Sequence, residues 1–256
     1  MPLKGDTGLQ IPRQYLRQVA KKFPDAVGKA VRDTLFDVRT GLYEEMEDVF
    51  DRPTPFIVPK NKKKPGRRGS LFVEYSIKEQ RGRVYAKDLK GAVGSSLTAE
   101  EILLPHITGQ DRELKRFEKA LYRIGALPKG SYAIPAEERL DKYGNLTRGS
   151  ITQMLSYLQA NPDAMSNTTA RSMARKKEKY SYFVVRDRSG KAYGIKKRTS
   201  KRIARWFLIF VDGSDYEAER LDFDFVGELV IKRQWPKNFA FWRKQIFDQR
   251  RRKEAA

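Results

Sequence analysis

One pattern constrains this chain more than any other. From Ile11 onward, apolar residues return at Tyr15, Val19, Phe23, Val27, Val31, Leu35, Val38, Leu42, Met46 and Val49, at steps of four or three throughout. That spacing is one face of a helix, and a helix of such length has to bury the face against another part of the fold. Pro24 lies inside the run and removes a backbone donor. It predicts a kink or corner at Phe23–Pro24, with a short helix to about Lys22 and a longer one from Pro24 to about Phe50. The prolines of Asp51-Arg-Pro-Thr-Pro55 end the pattern.

The last third of the chain supplies a different signal. Tyr180 to Asp187 is aromatic and β-branched, Ala192 to Arg198 follows, and Ser189-Gly190 between them reads as a two-residue hairpin turn. After Thr199 to Arg202, Ile203 to Val211 is apolar at nearly every position, as in a strand covered on both faces. Trp235, Phe239, Trp242 and Ile246 then form an apolar helical stripe, with Pro236 suited to the first helical position and the stripe expected to close over the strands. These aromatics are read as core, not as a base-stacking platform. The class expected is α+β: a long N-terminal helix kinked at Pro24, a small antiparallel β-sheet or barrel-like core, and a C-terminal aromatic amphipathic helix.

Between these ends the signals are shorter. Leu71 to Lys78 and Arg83 to Lys87 predict a hairpin around Glu79-Gln-Arg-Gly82. Gly91 to Thr98 is turn-rich, and Ala99 to Leu104 predicts a short helix stopped at Pro105. Asp111 to Ile124 predicts another, with Leu114, Phe117, Leu121 and Ile124 on one face and Gly125 at its end. Ala126 to Asn145 reads as irregular with an extended piece at Tyr132 to Ile134. Thr147 caps a further helix carrying Ile151, Leu155 and Leu158. Asn161 to Lys179 lacks periodicity and reads as a linker or mobile loop. The segments expected are therefore 1–55 helical, 56–90 hairpin with a basic loop, 91–160 helical and irregular, 161–179 linker, and 180–256 β core with its closing helix, all within one composite domain.

Charge bounds the function. With 53 Lys and Arg against 32 Asp and Glu, the formal charge of +21 favours a polyanionic neighbour such as nucleic acid. The absence of Cys and the single His106 leave no disulfide frame, thiol nucleophile or His cluster, so His106 is expected to pack or cap. Asp212, Asp215, Glu217, Glu219, Asp222 and Asp224 make an acidic run, but no second motif supplies a base beside it. A turn and an alternating strand are expected there, with Leu221, Phe223 and Phe225 inward. No catalytic residue, metal ligand or cofactor is expected, and no P-loop, dinucleotide or nucleophile-elbow pattern is present. No apolar run is long enough to span a bilayer.

The basic loop KNKKKPGRRG holds Lys60, Lys62, Lys63, Lys64, Arg67 and Arg68 without an apolar residue. It reads either as a solvated loop or as a set of phosphate contacts that cannot specify bases. Lys196, Lys197, Arg198, Lys201 and Arg202, and the terminal Arg250, Arg251 and Arg252, are further candidates for contact with nucleic acid or a partner. Two readings remain: an assembly subunit living near nucleic acid, and a dedicated non-sequence-specific nucleic-acid-binding protein.

Five stretches follow one another along the chain: VFDRPTPFIV, PHITGQDRELKRFEKALYRIGALPKGSYAIP, DKYGNLTRGSITQMLSYL, GIKKRTSKRIARWFLIFVDG and WPKNFAFWRKQIF. In that order they resemble tailed-bacteriophage proteins of the minor tail protein Z or tail completion type. The resemblance implies a structural, non-enzymatic virion component at the neck or tail end, made in the host cytoplasm, joining tail to head around the path of DNA ejection. It further implies a homo-oligomeric ring, sixfold favoured and twelvefold possible. Its neighbours would be head-tail connector and tail tube proteins, and double-stranded DNA contacted without sequence preference. The KNKKKPGRRG loop and the 161–179 segment fit the pattern least well.

Overall fold

The computed structural model describes residues 13–65, 69–87, 97–136, 140–176, 181–213 and 220–254. The chain is α+β and divides into two compact units. The first takes the described parts of 1–46, 59–86 and 222–256, and the second those of 47–58 and 87–221.

In the first unit, helix α1 (Arg13–Val49) runs without interruption through Pro24. The two separate helices expected on either side of Phe23–Pro24 are thus one. A lone proline costs a helix about 3 kcal/mol, and the packing of so long a helix offsets it; beside Pro24 the rings of Phe23 and Phe239 meet edge-on at 5.8 Å. The buried residues of α1 include Ala26, Ala30, Thr34, Val38, Leu42 and Met46; each four-residue step overshoots a full turn by about 40°, so this row winds about 200° round the helix between Ala26 and Met46.

Two elements cover α1. The antiparallel hairpin of β1 (Leu71–Ser76) and β2 (Arg81–Ala86) pairs Leu71 with Ala86 and Ser76 with Arg81. It is joined to α1 through the buried Tyr43 hydroxyl, which accepts the Leu71 amide at 3.0 Å. The hairpin turn lies two residues earlier than expected, and β2 starts at Arg81. The other element is the C-terminal helix (Phe223–Glu254), which the sequence reading began at Pro236. Asp222 explains the earlier start: its carboxylate accepts the Phe225 amide at 2.8 Å, which is how an N-cap satisfies an orphan donor. No alternating strand therefore forms at Phe223 and Phe225. The aromatic stripe of this helix meets α1. Trp242 donates to Asp33 at 2.7 Å, Asn238 donates to Asp37 at 2.8 Å, and Trp235 stacks on Phe239.

The second unit holds a four-stranded antiparallel sheet. Its strands are β3 (Ser131–Pro135), β4 (Tyr182–Arg186), β5 (Ala192–Arg198) and β6 (Ala204–Asp212), in the order β3-β6-β5-β4. Among the described residues the sheet is open, with β3 and β4 as its edges. One face packs on α3 (Arg116–Arg123) and α4 (Arg148–Tyr157), with Leu121, Met154, Tyr182, Ile195, Phe207, Leu208 and Phe210 in the core.

The run of consecutive apolar residues in β6 has a local cause. Ile195 pairs with Leu208, but the next residue, Lys196, pairs with Trp206. Phe207 is therefore the extra residue of a β-bulge, and a bulge turns two successive side chains toward one face. Phe207 and Leu208 are both fully buried, whereas Ile209 is exposed. The strand is covered on one face, not on two as expected. The β4–β5 loop also departs from the two-residue expectation. Asp187 donates its amide to Lys191, and its carboxylate accepts the Ser189 and Lys191 amides, enclosing Arg188, Ser189 and Gly190 with Gly190 at φ 86°.

Helix α2 (Ala99–Thr108) starts in a capping box between Thr98 and Glu101 and passes Pro105 to end at Gly109, φ 69°. The left-handed glycine, not the proline, stops it. Helix α3 is shorter than the predicted 111–124, because Glu118 caps its start by accepting the Lys115 amide at 2.7 Å. Thr147 caps α4 as expected, accepting the Ser150 amide. The expected linker is structured up to Lys176, with a 3-10 turn at Ala164–Ser166 and α5 at Ala170–Lys176. It is tied to α4 by Ser156 donating to the Ser166 carbonyl at 2.9 Å and Gln159 donating to that of Thr168 at 2.8 Å. With α5 numbered, the C-terminal helix is α6. The expectations for Ile11, Arg67, Arg68, 91–96, 177–180, Asp215, Glu217 and Glu219 lie outside the described residues.

Candidate nucleic-acid interface

Cross-strand partners share a face of a sheet, so the register identifies which side chains stand on the side away from α3 and α4. One row is Phe183, Lys196 and Trp206; the next is Val185, Gly194, Ile209 and Ile134; Val211 and Tyr132 follow. No position in these rows carries a carboxylate. Alternation would make the water-facing side of such a sheet polar, yet Ile134 is 48% and Tyr193 43% exposed. Exposed apolar patches of this kind mark interaction surfaces.

The row of rings has a specific construction. Gly194 leaves room for Trp206, since a Cβ there would lie 2.7 Å from the indole. Tyr193 packs against Trp206 with ring centroids 5.6 Å apart. The Lys196 ammonium lies 4.3 Å from the Trp206 ring and the Arg198 guanidinium 5.8 Å from that of Phe183. Cations held over aromatic faces gain from the ring quadrupole. Arg198 also donates to the Lys201 carbonyl at 3.0 Å, which closes the β5–β6 loop where Lys201 and Arg202 stand exposed.

The predicted cations therefore separate. Lys196 and Arg198 join the outer face, while Lys197 pairs with Tyr182 and Arg205 on the other side and sits 5.8 Å from the Tyr182 ring. Lys60, Lys63 and Lys64 are exposed and Lys62 half-buried in the first unit. Their loop is held by Arg39, which donates to the Lys63 carbonyl at 2.9 Å, and by Asn61, which accepts the Lys64 amide. Arg250, Arg251 and Arg252 belong to α6, with side chains outside the description. Phe183, Tyr193 and Trp206 were not singled out in the sequence, where Tyr180 to Asp187 and Ala192 to Arg198 read only as strands and Ile203 to Val211 as a strand covered on both faces. The available signal was the i, i+2 pair Phe183 and Val185 on an edge strand, facing opposite to Tyr182 and Val184.

The second unit also encloses a cleft of about 420 Å³ lined by Phe50, Arg52, Ile57, His106, Lys115 and Tyr143, among others. His106 packs edge-on to Phe50 at 4.6 Å, and its carbonyl accepts the Leu221 amide, so it takes the packing role expected of it. Burial, with the Arg220 charge, pushes its imidazole below the usual histidine range. Burial and Arg112 likewise push the Lys115 amine down, against a smaller opposing pull from Glu118. Among the described residues, no group of three or more acidic or His side chains is placed to hold a metal ion, and no helix is long and apolar enough to cross a membrane. Comparison with family models, with curated proteins and with solved structures finds no match.

Proposed function

We propose that the chain is a structural virion protein of a tailed bacteriophage, a tail-completion or neck component that joins tail to head beside the DNA path. The observation that carries this reading is a second apolar side on α6. Gly227, Val230, Asn238 and Trp242 face α1, whereas Phe225 and Leu229, one turn apart, are 59% and 45% exposed. A helix apolar on more than one side needs cover on more than one side, and neighbouring copies in a ring would provide it. The order of the five sequence stretches supports the same reading. The role is structural and not enzymatic. The ring is sixfold by preference or twelvefold, flanked by connector and tail tube proteins, with its lysines and arginines beside double-stranded DNA. Native mass spectrometry of the purified chain is expected to show a closed oligomer, and phage lacking the protein are expected to accumulate unjoined heads and tails. A monomer at high concentration, together with normal joining, overturns the proposal.

The outer sheet face favours a second reading, a dedicated non-sequence-specific nucleic-acid-binding protein. Such a protein remains small in solution and binds oligonucleotides with a steep salt slope.

A further inference from the structure

We propose that the outer face of the four-stranded sheet is a stacking platform for single-stranded nucleic acid, with bases against Phe183, Tyr193 and Trp206 and phosphates against Lys196 and Arg198. The inference rests on the nucleic-acid reading of this face and not on the virion reading. Three observations carry it. The rings come from three adjacent strands and stand on one face, as the register and the 5.6 Å contact of Tyr193 with Trp206 require. Two of them already hold cations, Lys196 at 4.3 Å and Arg198 at 5.8 Å, and no outward position of the rows is acidic.

Each part of a single strand meets a matching group. An unstacked base offers a planar apolar face to an exposed ring, and its phosphate takes the cation that otherwise lies over that ring. Lys196 can serve in this way because its ammonium is at the free end of a long, flexible stem. A duplex fits the face poorly, because its bases are already stacked on one another and only their edges are accessible in its grooves. A protein partner would centre on the aliphatic row of Ile134 and Ile209. The cations instead coincide with the aromatic row. The charge of +21 on the whole chain adds attraction for any polyanion, but charge alone does not require rings and cations to share one face.

The test uses the full chain and three probes of equal length, about 20 nucleotides, enough to cover one such surface: fluorescein-labelled oligo-dT, the same backbone without bases, and a duplex. Fluorescence anisotropy is followed across a salt series. Oligo-dT is expected to bind about tenfold or more tighter than the abasic strand, the value of one or two stacked bases, and tighter than the duplex. An oligo-U arm distinguishes RNA from DNA as the favoured source. The double variant Phe183→Leu/Tyr193→Leu keeps an apolar surface but removes two rings. It is expected to lose about tenfold in oligo-dT affinity at an unchanged salt slope, because the phosphate contacts remain.

Equal binding of oligo-dT and the abasic strand, with a steep salt slope, overturns the stacking platform while leaving the nucleic-acid reading intact. Absence of binding to all three probes overturns both. Self-association abolished by the double variant, with oligo-dT affinity unaltered, assigns the face to a second copy and also overturns the proposal. The abasic comparison on the unmodified chain decides the matter even if the variant does not fold.

Discussion

Glu118 is fully buried, yet its surroundings keep it charged. Its side chain has no exposure, and Arg112, itself 13% exposed, grips both carboxylate oxygens at 2.6 and 2.7 Å. The same carboxylate accepts the Lys115 amide that begins α3 and the Ala133 amide on edge strand β3 at 2.9 Å. One side chain thus caps a helix and occupies an edge donor that would otherwise be available to a foreign strand. Burial pushes the carboxyl up, but the Arg112 and backbone hydrogen bonds outweigh it and hold it below the usual glutamate range. A carboxylate depressed in this way stabilises the fold fully above its unfolded pKa of about 4.3, and that contribution is lost as pH falls through the folded value. Glu118→Gln removes the charge and leaves Arg112 without its partner. The variant is expected to lose about 3 kcal/mol at pH 7 by urea unfolding and to show a shallower loss of stability as pH falls below about 4.3. An unchanged urea midpoint would mean that the network is energetically idle.

At the scale of elements, α1 and the β1–β2 hairpin approach each other through Gly28, where any Cβ would collide with the Ile77 carbonyl of the hairpin turn. Gly28→Ala improves intrinsic helix propensity by about 1 kcal/mol, so a helix considered alone would gain. Forcing the hairpin away is expected to cost about 1–3 kcal/mol instead. A net fall in thermal midpoint is the expected outcome, and a rise would show that the approach is looser than the structure has it.

Elements whose signal is local and repeated were legible in the sequence: the α1 periodicity, the Thr147 cap, the strands of the last third and the extended piece at Tyr132–Ile134. The prolines misled. Pro24, Pro105 and Pro236 all lie inside helices, because the ends are set elsewhere, by Gly109 in α2 and by the Asp222 carboxylate at the start of α6. The face of β6 was hidden for a similar reason. A bulge is a property of pairing between strands, so the consecutive burial of Phe207 and Leu208 looked like a strand buried on both sides. Lys196 and Arg198 were legible as basic residues, but their separation from Lys197 across the sheet follows only from the register.

For the molecule as a whole, two kinds of association respond oppositely to salt. Each copy carries a formal charge of +21, so copies meeting through apolar groups such as Phe225 and Leu229 do so against mutual repulsion, and added salt screens that repulsion. Binding to nucleic acid depends on counterion release and weakens with salt. Sedimentation velocity between about 0.05 and 0.5 M salt is therefore expected to show self-association strengthening over the range in which oligonucleotide affinity declines. Phe225→Gln/Leu229→Gln is expected to abolish the self-association and to leave oligonucleotide binding intact. Both side chains are exposed, so the double substitution should change stability by less than about 0.5 kcal/mol per site. The reverse pattern, self-association that dissolves as salt rises, would place ion pairs between copies and remove the α6 apolar side as the ring contact. Association unchanged in the double variant would move the contact to another surface of the chain.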